Sequence, residues 1–301
     1  MRRFTPALAL VGLLAACGGD GTNPFDDGTT GDTGDSEIPD SLAGDLQSFS
    51  YDADNQTLTV TGITQDSSPI SATYTRNPAL DTAGYEAYSI QDDALSRHAI
   101  ALVRESGNSG SVRAGVVSTG GQFNRIHHGG YYERSGSYTQ PTTGTARYAG
   151  TYAGLTNVQV SGDLVPPGPG TPPEVLPGQA ARTEGNVLIN ADFNDGSIEG
   201  TIYDREIVDT GDTLPSIVLV TGEIADDGTF FGEEVEYDGD VDNDIGDYGG
   251  IFGGPDAESV GGVVNLDEFD DNTLGFEGEV ETGVFVLESC DSADATSPLC
   301  P

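Results

Sequence analysis

Short runs of alternating apolar and polar residues, bounded by Gly, Asn, Asp and Pro, dominate the chain from about position 45 onward. A period of two marks half-buried strands, and the 3.6-residue period of an amphipathic helix is nearly absent. The pattern first predicts strands over Leu58–Ile63, Ile70–Arg76, Tyr85–Ile90, Ala99–Glu105, Val112–Ser118 and Ile126–Glu133. Ser106-Gly107-Asn108-Ser109-Gly110 reads as a hairpin turn between the fourth and fifth. Gln91–Leu95 offers an alternative, the start of a short helix reaching Val103 and capped by Asp92.

A second set follows at Thr145–Leu155, Asn186–Phe193, Ser197–Asp204, Ser216–Ile224, Thr229–Tyr237, Tyr248–Phe252, Ser259–Leu266 and Leu274–Leu287. Val187, Ile189, Ala191 and Phe193 share one face of their strand, and Leu188 is the only large apolar residue on the other. Such a strand buries one side and wets the other. Eight of them joined by short turns suit a closed antiparallel barrel, which leaves no exposed edge. The expected fold is therefore all-β: a small antiparallel β domain over 45–141, then an eight-stranded antiparallel β-barrel over 145–289, then a tail over 290–301. The connection from Ser161 to Thr183 carries six prolines, which block both ladders and helices. It reads as a plain extended loop, with a functional loop as the alternative.

The first residues set the compartment. Arg2-Arg3 precede an apolar run, Ala7 to Ala16, that is too short to span a membrane. The run ends in Leu14-Ala15-Ala16-Cys17-Gly18, which resembles the lipobox of bacterial lipoproteins. The resemblance implies a signal peptide over 1–16, an acylated Cys17 as the membrane anchor, and sorting to the outer membrane because Gly rather than Asp follows the Cys. Two or more acyl chains anchor stably where one does not. Residues 17–44 then form a tether of Gly, Thr, Asp and Pro, which cannot offset its ordering entropy by burial. Cys290 and Cys300, in an exported chain, are expected to pair; a reactive thiol pair is the alternative.

Charge narrows the partners. The 301 residues carry 50 acids against 11 bases, a formal net charge of −39, and every base is Arg. Without Lys there is no phosphate-gripping P-loop and no amine nucleophile for Schiff-base chemistry. Nucleic acid is excluded as a partner because cationic side chains supply most of that affinity. From position 151 onward there are 33 acids and two Arg. Dispersed acidity of this kind reads as a surface solvated in a salty medium, with a cationic partner as the alternative.

Candidate chemistry is sparse. Asp32-Thr33-Gly34 and Asp209-Thr210-Gly211 repeat the tripeptide of aspartic proteases, yet the first lies in the tether, so both read as turns. Asp238, Asp240, Asp242 and Asp244 alternate as hard oxygen ligands and make a weak Ca²⁺ candidate; no other cofactor is expected. His127 and His128 are adjacent and His98 is distant, and neighbours in a strand face opposite sides, so a shared metal is not expected. No G-x-S-x-G, H-E-x-x-H or G-x-G-x-x-G occurs.

Several segments of the barrel half carry a family resemblance. Tyr148-Ala149-Gly150-Thr151-Tyr152-Ala153-Gly154 opens it, Ala191-Asp192-Phe193 and Gly228-Thr229-Phe230-Phe231-Gly232 follow, and Gly283-Val284-Phe285 closes it. Between them, the stretch from Gly250 through Phe252, Gly254, Pro255 and Ala257 to Gly261-Gly262 resembles the G-x-F-Y-G-P-x-A-x-E-L-G-G motif of transferrin-binding protein B-type surface lipoproteins. Gly253 replaces the motif's aromatic, Ser259 its carboxylate and Val260 its Leu. The resemblance covers roughly 145–288 and implies that the 45–140 strands form the handle of a single lobe. It also implies a non-catalytic, cell-surface binding module for an unknown protein or solute, in the manner of iron or other nutrient acquisition. A structural or adhesion lipoprotein, tightened by Ca²⁺, is the alternative.

Overall fold

In the computed structural model the described residues are 38–52, 54–63, 69–107, 111–240, 243–275, 278–292 and 297–300. The predicted signal peptide, Cys17, most of the tether and Asp32-Thr33-Gly34 therefore lie outside the described residues. After one turn of helix, α1 (Asp40–Ala43), the chain runs as strands.

The first sheet is an antiparallel meander whose spatial order is its sequence order: β1 (Leu46–Asp52), β2 (Thr57–Ile63), β3 (Pro69–Arg76), β4 (Glu86–Ile90), β5 (Ala99–Glu105), β6 (Val112–Thr119) and β7 (His128–Arg134). It curls until the ends meet, where the Asp45 amide donates to the His128 carbonyl at 2.8 Å. One face encloses Leu58, Val60, Tyr74, Tyr88, Ala101 and Val103. The other, with Ile100, Leu102, Val112, Ala114 and Val116, packs on Leu155, Ile251, Val263, Val284 and Val286 of the second sheet. Both faces being covered explains why Ala99–Val103 reads as an unbroken apolar run.

β1 escaped the alternation pattern because its register slips between Leu46 and Ser48, leaving only Phe49 and Tyr51 in phase. The alternative helix from Gln91 does not form. The Asp93 carboxylate, not Asp92, accepts the Leu95 and Ser96 amides at 2.8 and 3.0 Å and folds a turn, and β5 follows.

The second sheet comprises β8 (Thr145–Val160), β9 (Gln179–Asp192), β10 (Ser197–Ile207), β11 (Asp212–Thr213), β12 (Ile217–Ile224), β13 (Thr229–Gly232), β14 (Val235–Tyr237), β15 (Gly246–Gly253), β16 (Ser259–Leu266) and β17 (Glu281–Glu288). Eight of these close into an antiparallel barrel, with β10 pairing to β12 and β17 to β8. β11 extends a hairpin from β10, and β14 pairs to the end of β12. The strand expected over Thr229–Tyr237 is broken after Gly232, and the one expected from Leu274 begins at Glu281. β9 starts seven residues earlier than its apolar alternation, at Gln179 rather than Asn186. One of its early inward residues is polar because it serves a buried charge: Thr183, together with Tyr152 of β8, donates to Glu281, and Glu281 pairs with Arg205 at 2.7 Å, both fully buried.

Aromatic rings fill the other end of the barrel. Phe252 lies 5.3 Å from Phe230, 5.4 Å from Phe193 and 5.6 Å from Tyr148, centroid to centroid. On the outer wall, a Cβ on Gly261 would lie 2.4 Å from a methyl of Val112, so the bare backbone there lets the first sheet approach.

Candidate binding face

Three connections meet at one end of the first sheet: residues 91–98 between β4 and β5, 120–127 between β6 and β7, and 161–178 between β8 and β9. Main-chain carbonyls and a few long side chains lace them together. Gln122 Nε2 donates to the carbonyls of Leu95 at 2.8 Å and Val175 at 2.9 Å. Arg97 donates to the carbonyls of Arg125 at 2.8 Å and Gln122 at 3.4 Å. The Gly178 amide reaches the Gly121 carbonyl at 2.9 Å, and the Val165 amide reaches Gln91 Oε1 at 2.7 Å. Asp163 accepts from Asn77 at 2.6 Å and stands 3.3 Å from the buried His98. The proline-rich connection is thus extended, as expected, but fastened along the first sheet.

This scaffold holds a costly feature in place. The Gln122–Arg125 turn is closed by reciprocal main-chain bonds of 3.1 and 3.2 Å. Its central residues, Phe123 and Asn124, both have left-handed backbone, at φ 55° and 58°. Asn and Gly suit such a turn; a bulky aromatic does not. Phe123 is nevertheless 63% exposed. The exposed large hydrophobic residues among the described residues are Leu95, Phe123 and Val165, and each sits on one of these three connections. A strained, exposed ring on a turn fastened by Gln122 and Arg97, with further exposed apolar residues on the connections laced to it, has the makings of an interaction anchor.

The charge here also departs from the rest of the molecule. Arg97 and Arg125 are near neighbours, and neither forms an ion pair with a carboxylate among the described residues, although 50 acids are in the chain. Partial burial, and then the charge of Arg125, pull the Arg97 pKa below its ordinary value.

The residues singled out in the sequence lie elsewhere. Asp192 Oδ1 accepts the Asn194 amide at 2.9 Å and shapes the β9–β10 turn. Phe193 and Phe252 are core. Gly254 takes a left-handed backbone at φ 77° before the short 3-10 turn Pro255–Ala257, and the buried Ala257 accepts the Tyr148 hydroxyl at 2.6 Å. Gly261 lines the wall where the first sheet docks, and Gly262 faces the Phe285 ring inside the barrel. These family-motif positions therefore build the barrel rather than a ligand site.

Cys290 and Cys300 are joined in a disulfide. Asp209 pairs with Arg182 at 2.7 Å, as a turn residue would. His127 turns to Asp45 at 3.2 Å while His128 turns to Thr282 at 2.7 Å, so the two imidazoles diverge. Asp238 and Asp240 follow β14, Asp244 Oδ1 accepts the Gly246 amide at 3.1 Å, and Asp242 lies outside the described residues. Among the described residues no group of three or more His, Cys, Asp or Glu is gathered to hold a metal ion.

Phe123, Leu95, Val165, Arg97 and Arg125 were not singled out from the sequence. The available signal was apolar residues inside turn-forming stretches, such as Phe123 between Gly120-Gly121-Gln122 and Asn124.

Residues 140–284 match the family model described as the C-lobe and N-lobe beta barrels of Tf-binding protein B. No curated relative matches the chain. Among solved structures, intact Ap-TbpB with N and C lobes is 13% identical, with 78% of this chain and 52% of that chain covered and a TM-score of 0.38. A double mutant of the vaccine antigen transferrin binding protein B from Haemophilus parasuis Hp5 is 12% identical over 78% and 51%, with a TM-score of 0.40. A protein described only as a surface lipoprotein is 15% identical over 62% and 79%, with a TM-score of 0.34. The chain spans about half the length of the first two.

Proposed function

From a chain whose residues 140–284 form a transferrin-binding protein B-type β-barrel, we propose a lipid-anchored protein of the outer-membrane surface that captures a protein partner without catalysis. Cys17 carries the anchor. The family model matched over residues 140–284 describes the beta barrels of Tf-binding protein B, which supports a binding role. The observation that carries the reading is Phe123, exposed and left-handed on a turn fastened by Arg97 and Gln122. Exposed Phe123, Leu95 and Val165 on three laced connections, with Arg97 and Arg125 on two of them, suit a protein surface that offers an apolar pocket and an acidic edge. Nucleic acid does not suit a chain of net charge −39.

The test is capture with the full chain immobilised at high salt, comparing the native protein with Phe123→Asn. A partner retained by the first and lost by the second supports the reading. Identical retention by both overturns it.

A further inference from the structure

The first sheet curls around its own core without filling it. At the end where the three connections meet, a cavity of about 430 Å³ opens between Val60, Ala72, Tyr74, Ala99 and Val117. That volume lies within the roughly 300–1,000 Å³ of small-molecule sites. Small side chains help make the space, since Ala72 and Ala99 line it. The lining is mostly apolar, with Ser96 and Thr119 as polar exceptions beside Tyr74. The Tyr74 side chain is 6% exposed, and its hydroxyl has no hydrogen-bond partner among the described residues. Burial alone pushes its pKa up to about 12.

The mouth is polar, and its groups are unequally committed. Asp45 is engaged by His127 Nδ1 at 3.2 Å and by the His128 amide at 3.3 Å. Arg97 lines the mouth, bonds only neutral carbonyls among the described residues, and has the charge of Arg125 nearby. A guanidinium that pairs with no carboxylate among the described residues, with the exposed Arg125 adding positive charge nearby, favours a bound anion. Asp92 lines the same mouth and opposes an anion there.

We propose that this cavity binds a single-tailed anionic amphiphile, its alkyl chain along the apolar walls and its head on Arg97. The site is separate from the protein-docking role of Phe123, although Arg97 serves both.

The experiment displaces a fluorescent fatty acid from the full chain made unacylated by Cys17→Ser, with palmitate, hexadecanol and lyso-phosphatidylglycerol as competitors. The expected result is one site per chain, with palmitate bound about tenfold tighter than hexadecanol, as a charge-assisted hydrogen bond provides. Ala99→Leu, which fills the cavity, weakens palmitate at least about tenfold. Arg97→Ala brings palmitate and hexadecanol to equal affinity, and Asp92→Asn tightens palmitate. Preference between palmitate and the lysolipid distinguishes a free fatty acid from a membrane lipid as the source. Absence of saturable displacement, equal binding of palmitate and hexadecanol by the native residues, or full binding by Ala99→Leu overturns the proposal. Should Ala99→Leu fail to fold, the alcohol-to-acid preference in Arg97→Ala decides alone.

Discussion

Replacing Phe123 by Asn acts on two terms of opposite sign. A non-glycine residue in left-handed backbone costs about 1–2 kcal/mol, and Asn tolerates that conformation far better than Phe. Phe123 sits there at φ 55°, so the substitution relieves much of the cost. Against this, full burial of a Phe side chain contributes about 1.5–3 kcal/mol. Phe123 is 63% exposed, so only about a third of that, roughly 0.5–1 kcal/mol, is lost. The net expectation is a gain of about 0.5 kcal/mol, or a rise of about 1–2 °C in melting temperature for a domain of this size. Phe123→Ala removes the ring and keeps much of the strain, so it falls below the native protein by about 0.5–1 kcal/mol. Thermal unfolding by calorimetry orders the three proteins as Asn, native, Ala. The stabilised Asn variant is also the one that loses its partner, the trade expected where a residue is kept for function against local preference. If Phe123→Asn instead destabilises by more than about 1 kcal/mol, Phe123 is a packing residue and the reasoning fails.

The buried Arg205–Glu281 pair makes the barrel sensitive to loss of one partner: Arg205→Met costs about 3–5 kcal/mol in urea unfolding. Adding Glu281→Gln recovers most of that, because the amide still accepts from Tyr152 and Thr183 without a stranded charge. Gly261→Val forces the outer wall against Val112 and destabilises by about 1–3 kcal/mol, with a compensating double-mutant cycle to Val112→Ala. His98 and His128 both have pKa values lowered first by burial. The unfolded chain therefore binds their protons below about pH 6.5 while the folded chain resists, so stability falls as pH drops through and below that value. His98→Gln reduces the slope of unfolding free energy between about pH 7 and 5; an unchanged slope removes His98 from the account.

Barrel and strands were legible because alternation is a local property. Val187, Ile189 and Ala191 announce an inner face regardless of what lies opposite. The pattern failed where a non-local partner decided the side chain. Gln179 to Thr183 read as loop because Thr183 faces a carboxylate 98 residues away. β1 was hidden by its register slip and settled by pairing with β2. The family motif was readable, and its residues prove to be barrel structure: Gly261 admits Val112 and Ala257 receives Tyr148. The binding face was not readable, because it depends on three connections brought together by folding. No spacing in the chain links Leu95, Phe123 and Val165 before Gln122 and Arg97 tie their loops.

The central claim is that the Phe123 turn is presented outward for a partner. Phe123→Cys tests it most directly, since Cys290 and Cys300 are held in a disulfide and Cys17 is expected to be acylated. Intact cells making this variant are treated with a membrane-impermeant maleimide, with and without opening the outer membrane. The account predicts full labelling on intact cells. Labelling only after the outer membrane is opened contradicts it and places the face toward the periplasm.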